Sequence, residues 1–261
     1  MAELPLTPFP FDGDDVVAVV STRHGGVSEG PYASLNLADH VGDDPTRVLH
    51  NRRLLAERLG VEAITVADQQ HRATCAVVTP ETAGRGFSGV EESRRWFPAT
   101  DALVSAVPGV ALGVVVADCA PVLLWDPVRR AVGAAHAGRP GVVAGVVAST
   151  VQRMHEEFAT EAADLVVGIG PCVGYDSYPV GRREVDDLEA VLPDRGLTKA
   201  RGGEWLLDVG GGVEQQLADL GVRRDHVHRM PVDTRTATDT YFSDRATRPC
   251  GRFMAVVVLR S

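Results

Sequence analysis

The sequence has few cysteines, a single lysine and no excess of positive charge. The four cysteines show no CxxC spacing, so we expect free thiols or metal ligands and not a disulfide framework. Lys199 is the only lysine, and arginine therefore supplies almost all of the positive charge. The formal net charge of −9 argues against a nucleic-acid-binding protein or one that binds anionic membranes, because both need a basic surface.

Long apolar runs are also missing. The apolar stretches are interrupted by Gly, Asp or Pro well before the roughly 18–20 residues that a membrane-spanning helix needs. Residues 1–15 have neither the basic nor the apolar region of a secretory signal. We therefore expect a soluble cytoplasmic protein. Its content of 44% hydrophobic and 23% charged residues is typical of a chain with a sizeable core.

The hydrophobic pattern predicts one mixed α/β domain over residues 1–261. Asp44 followed by Pro45 predicts the start of a helix that ends at Gly60. Two apolar runs, 121–125 and 131–135, predict a β-hairpin around the turn sequence DPVRR. A helix is predicted to follow from about Pro140, and the closing run GRFMAVVVL is typical of a strand that completes a sheet.

Three residues form a candidate metal site. Cys119 and His136 lie at the ends of apolar β-type runs, and His71 follows a polar loop. Cysteine thiolate and imidazole are the usual zinc ligands, and three protein ligands leave a fourth position open for water or substrate. The alternatives are a buried apolar thiol and hydrogen-bonded structural histidines. Spacing along the chain does not decide between them.

Several motifs, taken together and in order, closely resemble the YfiH family, also known as laccase-domain or multicopper polyphenol oxidase proteins. These motifs are TRHGGVSEGPYASLNLADHVGDDPTRVLHNR, QQH, GVALGVVVADCAPVLLWDP, VGAAHAG and GIGPCVG. The resemblance extends from about Val16 to Leu259. It implies a single-domain α/β (α+β) fold, a layered sandwich of mixed β-sheets flanked by helices. It also implies a metal site at His71, Cys119 and His136, and activity on purine nucleosides.

The sequence departs from the family pattern at three places. The family reads HAGWRG after its second ligand histidine, whereas this chain reads HAGRPG, with Arg139 and Pro140 in the changed positions. Asp176 and Ser177 occupy positions where family members often have thiols, so a metal or redox role there is doubtful. QQHRA replaces QVHG, which keeps the histidine and changes its neighbours.

The resemblance implies phosphorolysis of adenosine and inosine, methylthioadenosine being a further candidate substrate, together with adenosine deamination. For deamination, a zinc ion would activate water, and a carboxylate would handle the protons. Asp118 is the candidate for that role, although a turn-forming Asp is an equal interpretation. For phosphorolysis, arginines and a helix N-terminus could hold phosphate. The candidates are Arg23 and Arg139, with Arg52 weaker because an arginine in an amphipathic helix is usually solvated. Either Arg139 substitutes for the family arginine from a shifted position, or that contact is lost. Asn36 could bind base or ribose, although a loop-capping Asn is the more common interpretation.

Three alternatives remain open at this stage. Cys119 could be a nucleophile and His136 its base, in a metal-independent hydrolase or amidase that acts on a nucleotide-sugar or peptidoglycan precursor. The metal could also be structural, with Cys172 as a fourth ligand. A multicopper polyphenol oxidase is disfavoured, because the chain has one His-x-His pair, His226 and His228, where such enzymes need several. Zinc is the expected metal, with copper as a second possibility.

Overall fold

Two large β-sheets pack face to face in the computed structural model, which describes residues 4–11 and 13–260. The first sheet has the strand order β1 (Leu6–Pro8), β2 (Val16–Ser21), β14 (Phe253–Leu259), β6 (Ala111–Val116), β3 (Ile64–Val66). The second has the order β13 (Val227–Arg229), β9 (Val166–Ile169), β7 (Ala120–Asp126), β8 (Ala131–Ala137), β5 (Ala102–Ser105), β4 (Cys75–Val77). A small third sheet has the order β10 (Pro179–Val180), β12 (Glu204–Leu207), β11 (Thr198–Arg201).

Both large sheets are mixed. The pairs β3–β6, β4–β5 and β9–β13 are parallel, and the other neighbours in these sheets are antiparallel. Strand β14 shows why the sequences of the strands are continuous apolar runs and not alternating patterns. Phe253, Ala255 and Val257 pack between the two sheets, whereas Met254 and Val256 pack on the outer face of the first sheet. Both faces of this strand are therefore buried.

Six α-helices accompany the sheets in the described part of the chain. They are α1 (Pro45–Leu59), α2 (Val90–Trp96), α3 (Arg139–Ala144), α4 (Val146–Phe158), α5 (Arg182–Glu189) and α6 (Val209–Asp219). Helix α1 covers the outer face of the first sheet, and α3, α4 and α6 cover the outer face of the second. The prediction of a layered α/β sandwich is thus confirmed. Among the described residues, no helix combines the length and the apolar character needed to cross a lipid bilayer.

The local predictions were mostly accurate. Helix α1 begins where expected, since the Asp44 carboxylate accepts a hydrogen bond from the Thr46 N–H at 2.8 Å, and it ends at Gly60. The hairpin forms, with β7 and β8 each longer than predicted. The prediction of a single helix after Pro140 was wrong. Gly145 adopts φ +84°, a conformation that glycine adopts without strain, and this residue divides the segment into the two helices α3 and α4.

Candidate active site

Chain topology brings three sequence-distant side chains to one end of the sandwich. Cys119 lies on the short connection by which the chain passes from β6 in the first sheet to β7 in the second. His71 lies on the connection from β3 to β4, which also passes between the sheets. His136 is near the end of β8, opposite the first residues of β7.

The three side chains form a compact cluster of potential metal ligands. Cys119 Sγ lies 3.6 Å from His71 Nε2, and the two imidazole rings are 4.6 Å apart between centroids. One ligand atom from each residue lies within 4.8 Å of the other two. His136 is buried, Cys119 is partly exposed and His71 is exposed, so the cluster opens on one side. This donor set of one sulfur and two nitrogens suits a metal that keeps an open position.

A buried carboxylate, Asp101, orients both histidines. It lies just before β5, and its side chain is fully buried. His136 Nδ1 donates to Asp101 Oδ1 at 2.8 Å, which leaves Nε2 as the ring nitrogen available to a metal. The backbone N–H groups of Gln70, His71 and Arg72 also donate to this carboxylate, at 2.7–3.0 Å. Asp101 therefore fixes the His136 tautomer and the His71 loop together.

The same contacts keep Asp101 ionised. Burial disfavours its charged form, but the hydrogen bonds from His136 and from the backbone of residues 70 and 72 hold the pKa of Asp101 below its ordinary value. They also stabilise an unusual backbone, since His71 adopts φ +57°, where residues other than glycine are uncommon. The sequence did not reveal Asp101 as part of the site.

Gly138 provides the space in which the cluster forms. A Cβ atom built at this position would lie 2.7 Å from Cys119 Sγ and 2.7 Å from His71 Cδ2. Any side chain here would therefore push the two ligands apart.

Replacing Gly138 with alanine is expected to weaken metal binding by about 10- to 100-fold, the range found when the geometry around ligands is disturbed. Competition with a chromophoric chelator measures this affinity. Gly181→Ala is the matched control, because a Cβ there would approach only the end of the Glu184 side chain. An affinity in Gly138→Ala equal to that of the control would contradict the assigned role of Gly138.

Cys119 and His136 form a coupled pair of charges. Burial alone would raise the pKa of the Cys119 thiol, but the neighbouring His136, together with hydrogen bonds from both histidines, lowers it to about 6. Burial would lower the pKa of His136, but the Cys119 thiolate and Asp101 raise it to about 9. A thiolate and an imidazolium therefore face each other at neutral pH when no metal is bound.

The metal-free protein is expected to show one thiol that ionises with a midpoint near pH 6. Because its pKa is lowered, the thiolate is present above that pH and is lost below it. Burial raises the pKa of Cys75 and Cys172 to about 12 and raises that of Cys250, so the acidic transition belongs to Cys119. Ultraviolet thiolate absorbance of chelated protein measures it, and Cys119→Ser should abolish it. A midpoint at about 8.5, the ordinary thiol value, would contradict the pairing.

The cluster opens into a cavity of about 350 Å³, a volume within the range of small-molecule sites. Four arginines line it, namely Arg139, Arg245, Arg248 and Arg252. Asp244 pairs with Arg248 and Arg252, at 2.5 Å and 3.1 Å. Arg245 stacks on the ring of Tyr178, and Arg139 lies 3.7 Å from Asp187. The lining thus has four guanidinium groups against two carboxylates, Asp118 and Asp244, an excess of positive charge that suits an anionic ligand.

Of the residues predicted to bind phosphate or substrate, Arg139 lies in this cavity, whereas Arg23, Arg52 and Asn36 do not line it. Arg23 donates to the carbonyls of Ala33 and Thr238, so it ties backbone segments together.

Arg52 and Asn36 are buried and have structural partners. Arg52 donates to the carbonyls of residues 37, 86 and 87. The Asn36 side chain donates to the Asp43 carboxylate and accepts from the backbone N–H of Arg252. Asn36 thus acts on the cavity only through the Arg252 backbone. Polar groups within the fold thus already engage Arg23, Arg52 and Asn36, and the binding roles of these three residues stay predictions.

Asp118 has structural partners, in line with the alternative interpretation of this residue as part of a turn. Its carboxylate accepts hydrogen bonds from Thr234 Oγ1, Ser243 Oγ and the Arg245 N–H, at 2.6–2.7 Å. It lines the cavity, but these donors engage both of its oxygens. They connect the turn before Cys119 to the loop that carries the arginines. The predicted proton-handling role has no support in these contacts.

Cys172 does not join the metal cluster in the part of the chain that the structure describes. Burial raises the pKa of its thiol to about 12, so it is protonated at neutral pH. Asp176 is exposed and pairs with Lys199 and Arg201, while Ser177 donates to Asp233. The proposal of Cys172 as a fourth ligand was therefore wrong.

Comparison with known proteins identifies the family. Residues 17–260 match the family described as multi-copper polyphenol oxidoreductase laccase. The chain belongs to this family. It is 42% identical over 239 residues to a purine nucleoside phosphorylase of Streptomyces coelicolor. This alignment covers 91% of this chain and 93% of the relative. It is 35% identical over 254 residues to the purine nucleoside phosphorylase YlmD of Geobacillus stearothermophilus. That alignment covers 95% of this chain and 91% of YlmD.

Solved structures of family members have the same fold. The crystal structure of YlmD from Geobacillus stearothermophilus superposes with a TM-score of 0.90 at 34% identity and covers 95% of this chain and 93% of YlmD. The crystal structure of the Bacillus licheniformis protein YfiH gives a TM-score of 0.88 at 31% identity and covers 94% and 93%. The resemblance to the YfiH family is confirmed, and the two relatives named above are enzymes by name.

Proposed function

We propose that this protein is a metal-dependent purine nucleoside phosphorylase, with zinc held by His71, Cys119 and His136. The observation that carries the proposal is the juxtaposition of this cluster with a cavity lined by four arginines. The names of its relatives supply the substrate class, a purine nucleoside with inorganic phosphate.

The residues fit a bound metal. Asp101 holds the proton of His136 on Nδ1, the pKa of Cys119 is lowered to about 6, and Gly138 leaves space beside the sulfur. Zinc favours such sulfur and nitrogen donors, although copper binds the same donors more tightly. A zinc ion bound there would supply a Lewis acid that polarises a substrate oxygen.

The arginines would hold phosphate. Arg139 and Arg245 have the fewest competing partners, since Arg139 has only a 3.7 Å approach to Asp187 and Arg245 donates at 3.3 Å to the Pro179 carbonyl. Guanidinium groups bind phosphate through paired hydrogen bonds. Arg139 stands where the family pattern has Trp, so this chain would use it in place of the family's arginine at the next position.

Phosphorolysis ranks ahead of adenosine deamination. Deamination needs an acid–base group beside the metal. Asp118, the candidate for that role, is engaged by three hydrogen bonds, whereas the arginines are suited to phosphate. Multicopper oxidase chemistry is disfavoured because one cluster of three metal-ligating residues occurs within residues 4–11 and 13–260.

The test is product analysis with protein of known metal content. Adenosine in phosphate buffer is expected to yield adenine and ribose 1-phosphate, and His136→Ala is expected to yield neither. Inosine as the main product would instead establish deamination. A metal-free protein that turns over, with Cys119 alkylated rapidly, would favour the thiol hydrolase acting on a nucleotide-sugar or peptidoglycan precursor. No turnover at full zinc occupancy would refute the nucleoside assignment.

A further inference from the structure

The cavity has two chemically different ends, which its neighbouring pockets define. Arg139, Tyr178 and Arg245 line both the cavity and an open groove beside the small third sheet. His40, Gln69 and Val115 line both the cavity and a smaller pocket of about 180 Å³. The first end, which we call the arginine end, carries two guanidinium groups. The second, the His40 end, carries one imidazole, one amide and an aliphatic side chain.

At the His40 end, one polar side chain is left for a ligand. The Gln69 amide is used within the fold, since it donates to the Val115 carbonyl at 2.8 Å and accepts from the Val115 N–H at 2.9 Å. The His40 ring has no side-chain hydrogen bond to any residue in 4–11 or 13–260. Arg252 also lines the cavity and acts on His40 through its charge, but its guanidinium is paired with Asp244. A planar base that accepts hydrogen bonds suits this end, whereas phosphate suits the arginine end.

The metal-cluster residues and the carboxylates of the cavity are already engaged. His71, Cys119 and His136 form the metal cluster, Asp118 accepts three hydrogen bonds, and Asp244 pairs with two arginines. Loss of hydration and the charges of Arg252 and Arg52 lower the pKa of His40, against the opposing effect of Asp39 and Asp68. A neutral imidazole can donate one hydrogen bond without releasing its proton.

We propose that the His40 end binds the purine base and that the His40 imidazole donates a hydrogen bond to the purine ring as the base leaves. The inference rests on the proposed phosphorylase function. The C1′–N9 bond breaks with its electron pair moving to the purine, and a phosphate oxygen forms the new bond to C1′. The purine anion then takes its proton from solvent, and His40 keeps its own. Preorganised donors of this kind act where charge develops.

The test compares two substrates in His40→Leu and His40→Gln. With inosine and phosphate, His40→Leu is expected to lower kcat by about 10- to 100-fold, the value of a hydrogen bond to a charged group. The base of 7-methylinosine leaves without negative charge, so His40→Leu should lower kcat on this substrate only slightly. His40→Gln keeps an N–H donor and should restore part of the activity on inosine. His50→Gln, on an exposed position of α1, is the matched control.

Each result has one interpretation. Equal losses on both substrates, or full activity of His40→Leu on inosine, would overturn the role of His40 and leave the phosphorylase function intact. A wild-type protein that cleaves neither substrate refutes the proposed function itself. Circular dichroism and metal content verify that each variant is folded and loaded.

Discussion

Replacing Cys119 with serine is expected to abolish both metal binding and activity. In the proposed site the Cys119 thiolate would be the anionic ligand, and a serine hydroxyl remains protonated at neutral pH. The variant also removes the negative charge that helps to raise the pKa of His136 to about 9. Loss of a Lewis acid worth several kcal/mol corresponds to an activity loss on the order of 10³-fold. Metal analysis after gel filtration and the phosphorolysis rate measure the two effects.

Cys75→Ser is the matched control for this experiment. Cys75 is buried on β4, and burial raises its pKa to about 12, so it is a protonated thiol outside the cluster. This variant should retain its bound metal and its phosphorolysis rate, even if its stability falls. A Cys119→Ser protein that is fully loaded with metal and active would refute the ligand assignment. Alkylation of Cys119 in the wild type should be slow with metal bound and rapid after chelation.

Replacing Asp101 with asparagine is expected to weaken metal binding by about 10- to 100-fold, as for other residues that orient ligand histidines. An amide has one acceptor oxygen where the carboxylate has two, yet four donors converge here. The variant therefore loses the fixed His136 tautomer and part of the support of the His71 loop. The chelator-competition affinity should fall, and adding metal in excess should restore much of the rate.

Asp126→Asn distinguishes this effect from simple loss of stability. Asp126 is a buried carboxylate at the opposite end of the β7–β8 hairpin, where it accepts from the N–H groups of Val128 and Arg129. Both variants should lower the melting temperature, but only Asp101→Asn should lower the metal affinity. Unchanged affinity in Asp101→Asn would mean that the carboxylate serves folding alone.

The ligand cluster was partly predictable from the sequence. The hairpin around DPVRR fixes the register of β7 and β8, which pairs Pro121 with His136 and so brings Cys119 near Gly138. His71 was a candidate from its residue type and its place after a polar loop, but its approach to the other two residues could not be derived from spacing, because a connection between the two sheets delivers it. The assignment of these residues as zinc ligands stays a prediction, as does the single domain over residues 1–261.

The rest of the cavity depends on contacts that no local pattern carries. Asp101 precedes an ordinary buried strand, and its role arises because β5 pairs with β8. Arg23 and Arg52 resembled anion-binding residues, since a guanidinium has the same sequence signature whether it binds phosphate or backbone carbonyls. The cavity arginines near the C-terminus lie in the segment DRATRPCGR, where three arginines within eight residues were the available signal.

The hydrogen bonds of Asp118 have a consequence for how this enzyme could be altered. One carboxylate joins the turn that presents Cys119 to the loop that presents Arg245, so the two halves of the cavity share a common set of hydrogen bonds. A change at this aspartate would disturb both halves at once. Directed variation of substrate range should therefore leave Asp118 fixed and begin at positions such as His40 and Arg139, whose side chains carry little of the framework.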